Sequence, residues 1–368
     1  MNILHVSAVK NWGGGENHIE ALCLESQLAF PEVNHQILCV RNGKFHQKIR
    51  EKNIKFFTAP LALKFDLRFS RKIISLCRSE KIDLLHLHDP TALTLTILAD
   101  KMGKLPPMVF SKKTSFPIKD RKQTLYKYNY PKIRKIFCVS EETKKIAALK
   151  IRDKEKLVTI YHGVNLQSQN CSTAFDLREK LKIGPEKILI GNIGNHIRAK
   201  NLETFIETVH ELVNIQKYKN FHFVQLGVFT DRTEALKNKI ASYKLEDHIS
   251  LLGFVPGASN LIPQFDIMLL TSQSEGLPGV IYESFFHKTP VVSTKVGGIP
   301  EIIENGVNGL LAEKEDFKTL GQHILHLSES PELMKKFTDL SHEKLFKQYT
   351  SKLMAEKTLA EYKKIIHD

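Results

Sequence analysis

The stretch Ser274-Glu275-Gly276-Leu277-Pro278-Gly279-Val280-Ile281-Tyr282-Glu283 decides how this chain is read. It follows an apolar strand pattern, Asp266-Ile267-Met268-Leu269-Leu270-Thr271, and leads into a helix pattern running towards His287. Two carboxylates eight residues apart therefore bracket a turn built on glycine and proline at a strand's C-terminal end. In an open α/β sheet, ligands bind at that end. Such a turn leaves backbone N–H groups free at a helix start, where a phosphate or sugar oxygen is held well. Each carboxylate has two acceptor oxygens, enough for both hydroxyls of a vicinal diol. Diols plus phosphate describe a sugar nucleotide.

The surrounding chain is built to match. Short apolar strand patterns alternate with helical ones, the signature of parallel α/β sheets. One set of strands is expected at 3–7, 36–40, 56–59, 84–88, 108–111, 136–139 and 158–161. A second is expected at 188–192, 222–226, 250–254, 267–271, 291–293 and 309–312. The polar stretch from Leu166 to Ala174 separates them and is the best linker candidate. Helices are expected near Phe317–Leu327, Pro331–Gln348 and Ser351–Ile366. A chain of 368 residues exceeds one ordinary core and fits two domains.

Composition narrows the function classes. The apolar content of 42% and charged content of 26% are those of a water-soluble globular protein. No apolar run reaches the roughly twenty residues of a membrane span, and Met1-Asn2-Ile3-Leu4-His5-Val6-Ser7 reads as a first strand rather than a signal peptide. Five cysteines without a C-x-x-C pair argue against a disulfide framework or a zinc site, so a reducing cytoplasm is expected. The net charge of +14 is one-sided. Residues 1–165 carry 30 Lys+Arg against 15 Asp+Glu, and residues 166–368 carry 24 against 25, giving +15 and −1. Such a surface suits an anionic membrane face or a phosphorylated acceptor, or serves solubility alone.

The order Glu275…Glu283, Thr289-Pro290-Val291-Val292 and Val296-Gly297-Gly298-Ile299-Pro300-Glu301 resembles the retaining family 4 glycosyltransferases with their Glu-x7-Glu motif. The resemblance extends over almost the whole chain. It implies the GT-B fold, two Rossmann-like domains with parallel sheets facing across a cleft, the final helix crossing back onto the N-terminal domain. Residues 1–165 would be the acceptor-binding domain and 166–350 the nucleotide-sugar-binding domain. The resemblance implies that Glu275 contacts the donor sugar, that Glu283 contacts the ribose, and that the turn Gly276, Leu277, Pro278, Gly279 and Val280 holds sugar and diphosphate. Gly253-Phe254-Val255 would hold the base, Phe254 being otherwise a core residue.

The phosphate clamp departs from the family pattern. In Gly191-Asn192-Ile193-Gly194-Asn195-His196-Ile197-Arg198-Ala199-Lys200, the Lys of the usual Gly-Arg-Leu-x-x-x-Lys is Lys200, but Asn195 stands where the Arg belongs. Arg198 is the candidate replacement cation. Glu275, Lys200 and Arg198 are the expected catalytic group, since charge grows on the leaving diphosphate and cations aimed there lower the barrier.

In the first half, the loop Asn11-Trp12-Gly13-Gly14-Gly15-Glu16 precedes a helix expected near His18. Its spacing is not that of a dinucleotide fingerprint. The resemblance places Gly14 and Gly15 against donor phosphate or acceptor. His88 and Asp89, ending Leu85-His86-Leu87-His88-Asp89-Pro90, would line the acceptor pocket or simply close the strand. A zinc reading of these histidines lacks an evident third ligand. Lys112 and Lys113 stand near where the commoner family pattern has a His, and would meet donor or acceptor phosphate or lie exposed in a basic loop. A basic run laced with Tyr126, Tyr128 and Tyr130 follows. Tyr161-His162-Gly163-Val164-Asn165 resembles a family hinge turn.

The expected partners are a nucleotide-sugar donor, a glycan or lipid-linked acceptor and an anionic membrane surface, with nucleic acid disfavoured. No cofactor or metal is expected: no Asp-x-Asp triplet occurs, and the resemblance implies a front-face route in which the leaving phosphate helps take the acceptor proton. Two rivals stand beside this reading. One is a sugar-nucleotide epimerase or hydrolase on the same fold; the other is a non-catalytic binder of polyanion or membrane.

Overall fold

Two sets of parallel strands, each with its own core, account for the chain in the computed structural model, which describes residues 1–63, 65–164 and 175–367. One compact unit takes Met1–Asn165 and Tyr349–Asp368, the other Leu166–Gln348. The expected linker, 166–174, lies outside the described residues.

The first unit holds β1 (Asn2–Val6), β2 (Asn34–Val40), β3 (Lys55–Ala59), β4 (Leu84–Leu87), β5 (Met108–Lys112), β6 (Ile133–Cys138) and β7 (Leu157–Thr159). Their order is β3-β2-β1-β4-β5-β6-β7. The second unit holds β8 (Ile188–Ile193), β9 (Phe221–Leu226), β10 (Ile249–Leu251), β11 (Ile267–Leu270), β12 (Val291–Thr294) and β13 (Leu310–Ala312), ordered β10-β9-β8-β11-β12-β13. Both sheets are parallel throughout. Strands covered on both faces read as continuous apolar runs, as in β11, where all four residues are buried.

Each sheet reverses its winding once, between β1 and β4 in the first unit and between β8 and β11 in the second. Loops leaving two such neighbouring strands diverge to opposite faces and open a crevice. Those loops carry the Gly-rich stretch and His88-Asp89 in the first unit, and Lys200 and Glu275 in the second.

The last helix, Ser351–His367, belongs to the first unit and packs on the helix Gly14–Ala29. Met354, Ala355, Leu359, Tyr362 and Ile365 share a core with Ile3, Leu22, Leu84, Val109 and Phe137. Tyr362 is fully buried, and its hydroxyl is hydrogen-bonded to His86 Nδ1. Truncating a large buried aromatic typically costs about 3–5 kcal/mol, and here a buried imidazole nitrogen also loses its partner. Tyr362→Ala should lower the urea midpoint accordingly, and Tyr362→Phe should lower it by less, since only the hydroxyl is lost.

Gly163 and Val164 lie against the start of this helix, Val164 being bridged to Thr350. A Cβ on Gly163 would lie 2.2 Å from the Thr350 carbonyl oxygen, so the glycine here serves close backbone approach. Among the described residues no helix is long and apolar enough to cross a membrane.

Candidate active site

In the second unit, β8 ends at Ile193 and a single 3-10 turn, Arg198–Lys200, brings the chain back over the sheet edge. His196 anchors this loop: buried, it bonds Thr233 Oγ1 at 2.9 Å through Nδ1 and Gln225 Oε1 at 2.7 Å through Nε2. Asn195 Oδ1 accepts from Val228 N at 3.0 Å, so this residue braces the loop where relatives carry a cation. The turn closes on β11, with Gln273 N donating to Ala199 O at 2.9 Å and Thr271 Oγ1 to Asn201 O at 3.1 Å.

That closure places Lys200 Nζ 2.6 Å from Glu275 Oε1. The same oxygen accepts from Ser272 Oγ at 2.7 Å. Both side chains are mostly covered, at 22% and 12% exposure, so the pair is held in place rather than sampled. Arg198 goes elsewhere. It is exposed and lines a pocket of about 240 Å³ with Asn201, Glu203, Arg232 and Gln273, a lining that includes neither Lys200 nor Glu275. The structure thus unites two of the three expected catalytic residues and sets the third apart.

The turn after Glu275 runs to the helix Gly279–Phe286. Leu277, Pro278 and Val280 are buried beneath it, while Gly279 is exposed, and beyond its chain neighbours and its own helix backbone no described atom lies within 4 Å of where a Cβ would stand. Gly276 O accepts from Gly298 N at 3.0 Å, tying in the second glycine loop. Glu283 lies one helical turn on, its carboxyl pushed above its ordinary pKa by burial and held back by a hydrogen bond from Ser259. Phe254 is not a core residue: it is 69% exposed, beyond the end of β10.

In the first unit, the helix begins at Gly14, earlier than expected, with Gly13 as its N-cap. Lys113 Nζ donates to Gly15 O at 2.8 Å. Glu16 and Asp89 bear on the same ammonium: burial lowers Lys113 to about 8 and raises both carboxyls. Asp89 spends its oxygens on backbone, accepting from Ala8 N, Thr91 N and Ala92 N at 2.7–2.9 Å. It caps the helix Pro90–Met102, with Pro90 at the first turn.

The exposed-loop reading of the lysines is overturned. Lys112 is 5% exposed in β5, and its Nζ donates to the carbonyls of Thr114 and Phe116, bracing its own loop. The tyrosine-laced patch also dissolves in part: Tyr130 is buried and donates to Asp100, and Tyr128 packs edge-on against Phe110.

Six histidines, at 5, 18, 35, 86, 88 and 162, crowd the interior next to this group. The third ligand missing from the zinc reading is His5, which lies within reach of His86 and His88 and, on its other side, of His35 and Cys23. The facing nitrogens are already hydrogen-bonded, however: His5 to His88 at 2.9 Å and to His35 at 2.8 Å, and His86 to Ser111 and Tyr362. The donor set fits paired imidazoles better than an ion.

Two parallel α/β sheets, each reversing its winding once, fit the GT-B fold of the solved structures that resemble this chain. The family 4 glycosyltransferase profile matches residues 12–168, and the profile described as glycosyl transferases group 1 matches 185–330. The chain belongs to this glycosyltransferase family. It is 23% identical over 311 residues to N-acetyl-α-D-glucosaminyl L-malate synthase of Bacillus anthracis, covering 83% of this chain and 79% of the relative. It is 22% identical over 307 residues to the UDP-Gal:α-D-GlcNAc-diphosphoundecaprenol α-1,3-galactosyltransferase of Escherichia coli, covering 80% and 79%. Among solved structures, Anabaena HepE in complex with UDP and glucose is similar at TM-score 0.86 and 17% identity, covering 99% of this chain and 100% of that one. A Rickettsia africae glycosyltransferase gives 0.84 and 21%, covering 99% and 98%.

Proposed function

We propose that this enzyme moves a sugar from a UDP- or GDP-sugar to a hydroxyl of a glycan or lipid-linked acceptor, with retention at the anomeric carbon. The observation that carries this reading is the Lys200–Glu275 pair at the winding reversal of the second sheet, beside an exposed Gly279 at a helix start. Lys200 meets the diphosphate and neutralises charge as the glycosidic bond breaks. Glu275 holds the lysine before the donor arrives and exchanges part of that contact for sugar hydroxyls. Gly276 to Val280 offer backbone N–H groups, Glu283 takes the ribose, and Phe254 gives the base an apolar face. Asn195 braces the clamp, and Arg198 reaches the diphosphate only by leaving its own pocket. Because cationic side chain and backbone carry the leaving charge, turnover should be unchanged in EDTA.

The first unit takes the acceptor, with Gly14, Gly15, His88 and Lys113 at its crevice. Asp89 and Lys112 position the loops. The +15 charge of residues 1–165 suits a phosphate-bearing or membrane-borne acceptor, such as the diphosphoundecaprenol-linked sugar named for the E. coli relative. Surface polysaccharide or lipopolysaccharide assembly at the inner membrane face is the setting this favours. The binding-protein rival loses ground with the burial of Tyr130 and the half-burial of Tyr128.

The direct test is transfer from a panel of UDP- and GDP-sugars to lipid-diphosphate-linked sugars, with product anomers assigned by NMR. Retained configuration supports the reading; donor consumption without acceptor points to the epimerase or hydrolase. A cheaper check uses Gly279→Ala. The free protein has room for the methyl, and alanine suits a helix better than glycine, so Tm should hold or rise. A ligand lying against that backbone has no such room, so the donor KM should rise several-fold.

A further inference from the structure

Between β3 and the helix Leu67–Ser79, three large apolar side chains stand out in solvent: Leu63 is 75% exposed, Phe65 68% and Leu67 46%. No other five-residue stretch among the described residues exposes three. Single exposed apolar residues are ordinary, whereas a contiguous group marks a contact surface. This group is held in place. Asp66 caps the helix, its carboxylate accepting from Ala62 N at 2.9 Å and from Arg68 N at 3.1 Å, while its own N–H donates to Leu63 O at 3.2 Å. Phe69, Ile73 and Leu76 anchor the helix in the core of the first unit. Both flanks are thus pinned, with the apolar tips outward.

Beside these side chains the surface is cationic. Lys10 follows β1, Arg41 and Lys44 follow β2, and with Leu61, Ala62 and Arg68 they line a pocket of about 460 Å³ to which no carboxylate contributes. Lys44 N donates to Lys10 O at 2.8 Å, and a Cβ on Gly43 would stand 3.1 Å from that oxygen, so the two loops are closely tied. Arg68 is paired with Asp66 at 2.8 Å, whereas Lys10, Arg41 and Lys44 have no ion pair among the described residues. Cations and apolar tips all follow the C-terminal ends of parallel strands, the end at which the acceptor crevice opens between β1 and β4.

We propose that Leu63, Phe65 and Leu67 dock this enzyme on an anionic lipid bilayer, entering the boundary between headgroups and acyl chains while Lys10, Arg41 and Lys44 meet lipid phosphates. This deepens the membrane-borne acceptor reading above and rests on it: docking in this way turns the acceptor end of the first sheet towards the membrane. The two kinds of side chain act together, since one weak anchor gives only marginal attachment and stable binding takes two signals. The +15 charge of residues 1–165 adds attraction to an anionic leaflet. A soluble polyanion would use the cations and leave the apolar tips in water. A symmetric contact with a second copy would cover the tips but bring two cationic patches together. A bilayer satisfies both.

Flotation of the full chain with vesicles of phosphatidylcholine, with and without phosphatidylglycerol, tests this. The natural protein should float with the anionic vesicles, and added salt should release it. Leu63→Ser combined with Phe65→Ser should weaken binding by about tenfold or more. Lys10→Gln, Arg41→Gln and Lys44→Gln should each weaken it by about fivefold, with Tm unchanged throughout. Failure of the natural protein to float, equal binding to both vesicle types, or equal binding by the serine variant overturns the proposal. So does a dimer in lipid-free buffer that the serine variant dissociates. In the transfer assay, the serine variant should match the natural enzyme on a sugar diphosphate with a short, water-soluble alkyl chain and fall behind it on a diphosphoundecaprenol-linked sugar in anionic vesicles. Equal loss on both would make the patch an acceptor contact and overturn the docking. A protein that floats as expected but transfers no sugar contradicts the proposed function alone, and the docking stands.

Discussion

Lys200→Ala should lower kcat by about 10²–10³ while the protein stays folded. Removing one preorganised donor to a developing oxyanion typically costs on the order of 2.7–4 kcal/mol of transition-state stabilisation. Lys200 is suited to that role by its setting: 22% exposed and fixed by Glu275 at 2.6 Å, it needs no reorganisation when charge appears. Structurally the loss is small, since His196, Gln225 and Thr271 hold the loop independently. Lys200→Arg should not rescue, because the planar fork cannot occupy the ammonium's place between Glu275 and a phosphate. Glu275→Gln separates the carboxylate's two duties: it keeps the shape and leaves the lysine unneutralised. Donor binding should then persist while turnover falls. Steady-state kinetics on these three variants, with Tm as the control for folding, checks the prediction.

The second large effect is acid lability of the first unit. Burial lowers His35 to about 4 and His162 to about 3, and lowers His5, His18, His86 and His88 in the same direction. In the unfolded chain these rings titrate near 6.5. Between the two values the unfolded state binds more protons, so stability rises with pH. Their contribution is complete above about pH 7 and is lost as pH falls from 6.5 towards 4. Each tenfold loss of proton affinity on folding is worth about 1.4 kcal/mol, so His35 alone accounts for about 3 kcal/mol. Domains typically have about 5–15 kcal/mol in total, and six such rings should unfold this unit by about pH 5. The single tryptophan, Trp12, belongs to the first unit and packs against Phe45, so its fluorescence reports that unit alone. A urea midpoint equal at pH 7.5 and 5 would refute this lability.

Much of the fold is readable in the residues, for a physical reason. Strands of doubly covered parallel sheets are apolar runs, so β8, β9 and β11 stand out, and the turns after them carry the ligand-facing groups. The end of β10 is easily overread because Ser250–Phe254 is largely apolar, whereas Gly253 takes a φ of +68° and throws Phe254 into solvent. The first helix starts at Gly14 because Gly13 caps it, where three glycines suggest only loop.

The site is less legible wherever direction matters. Arg198 and Lys200 are two residues apart in one 3-10 turn, and the sequence does not say which of them faces Glu275. Asp89 followed by Pro90 is a helix-start signal as much as an acceptor contact, and the structure engages both its oxygens. The histidine cluster is out of reach of sequence reading, because residues 5, 35 and 88 meet only through strand order and register.

The central claim is that the second unit holds a nucleotide diphosphate through Lys200 without a metal. Titration calorimetry of UDP, GDP and ADP in EDTA, into the natural protein and Lys200→Ala, tests it most directly. One nucleotide should bind the natural protein, and the variant should bind it at least about tenfold more weakly, as expected for a lost charge-assisted contact worth about 1.5–3 kcal/mol. No binding of any of the three to a folded protein, or equal binding by the variant, would contradict it.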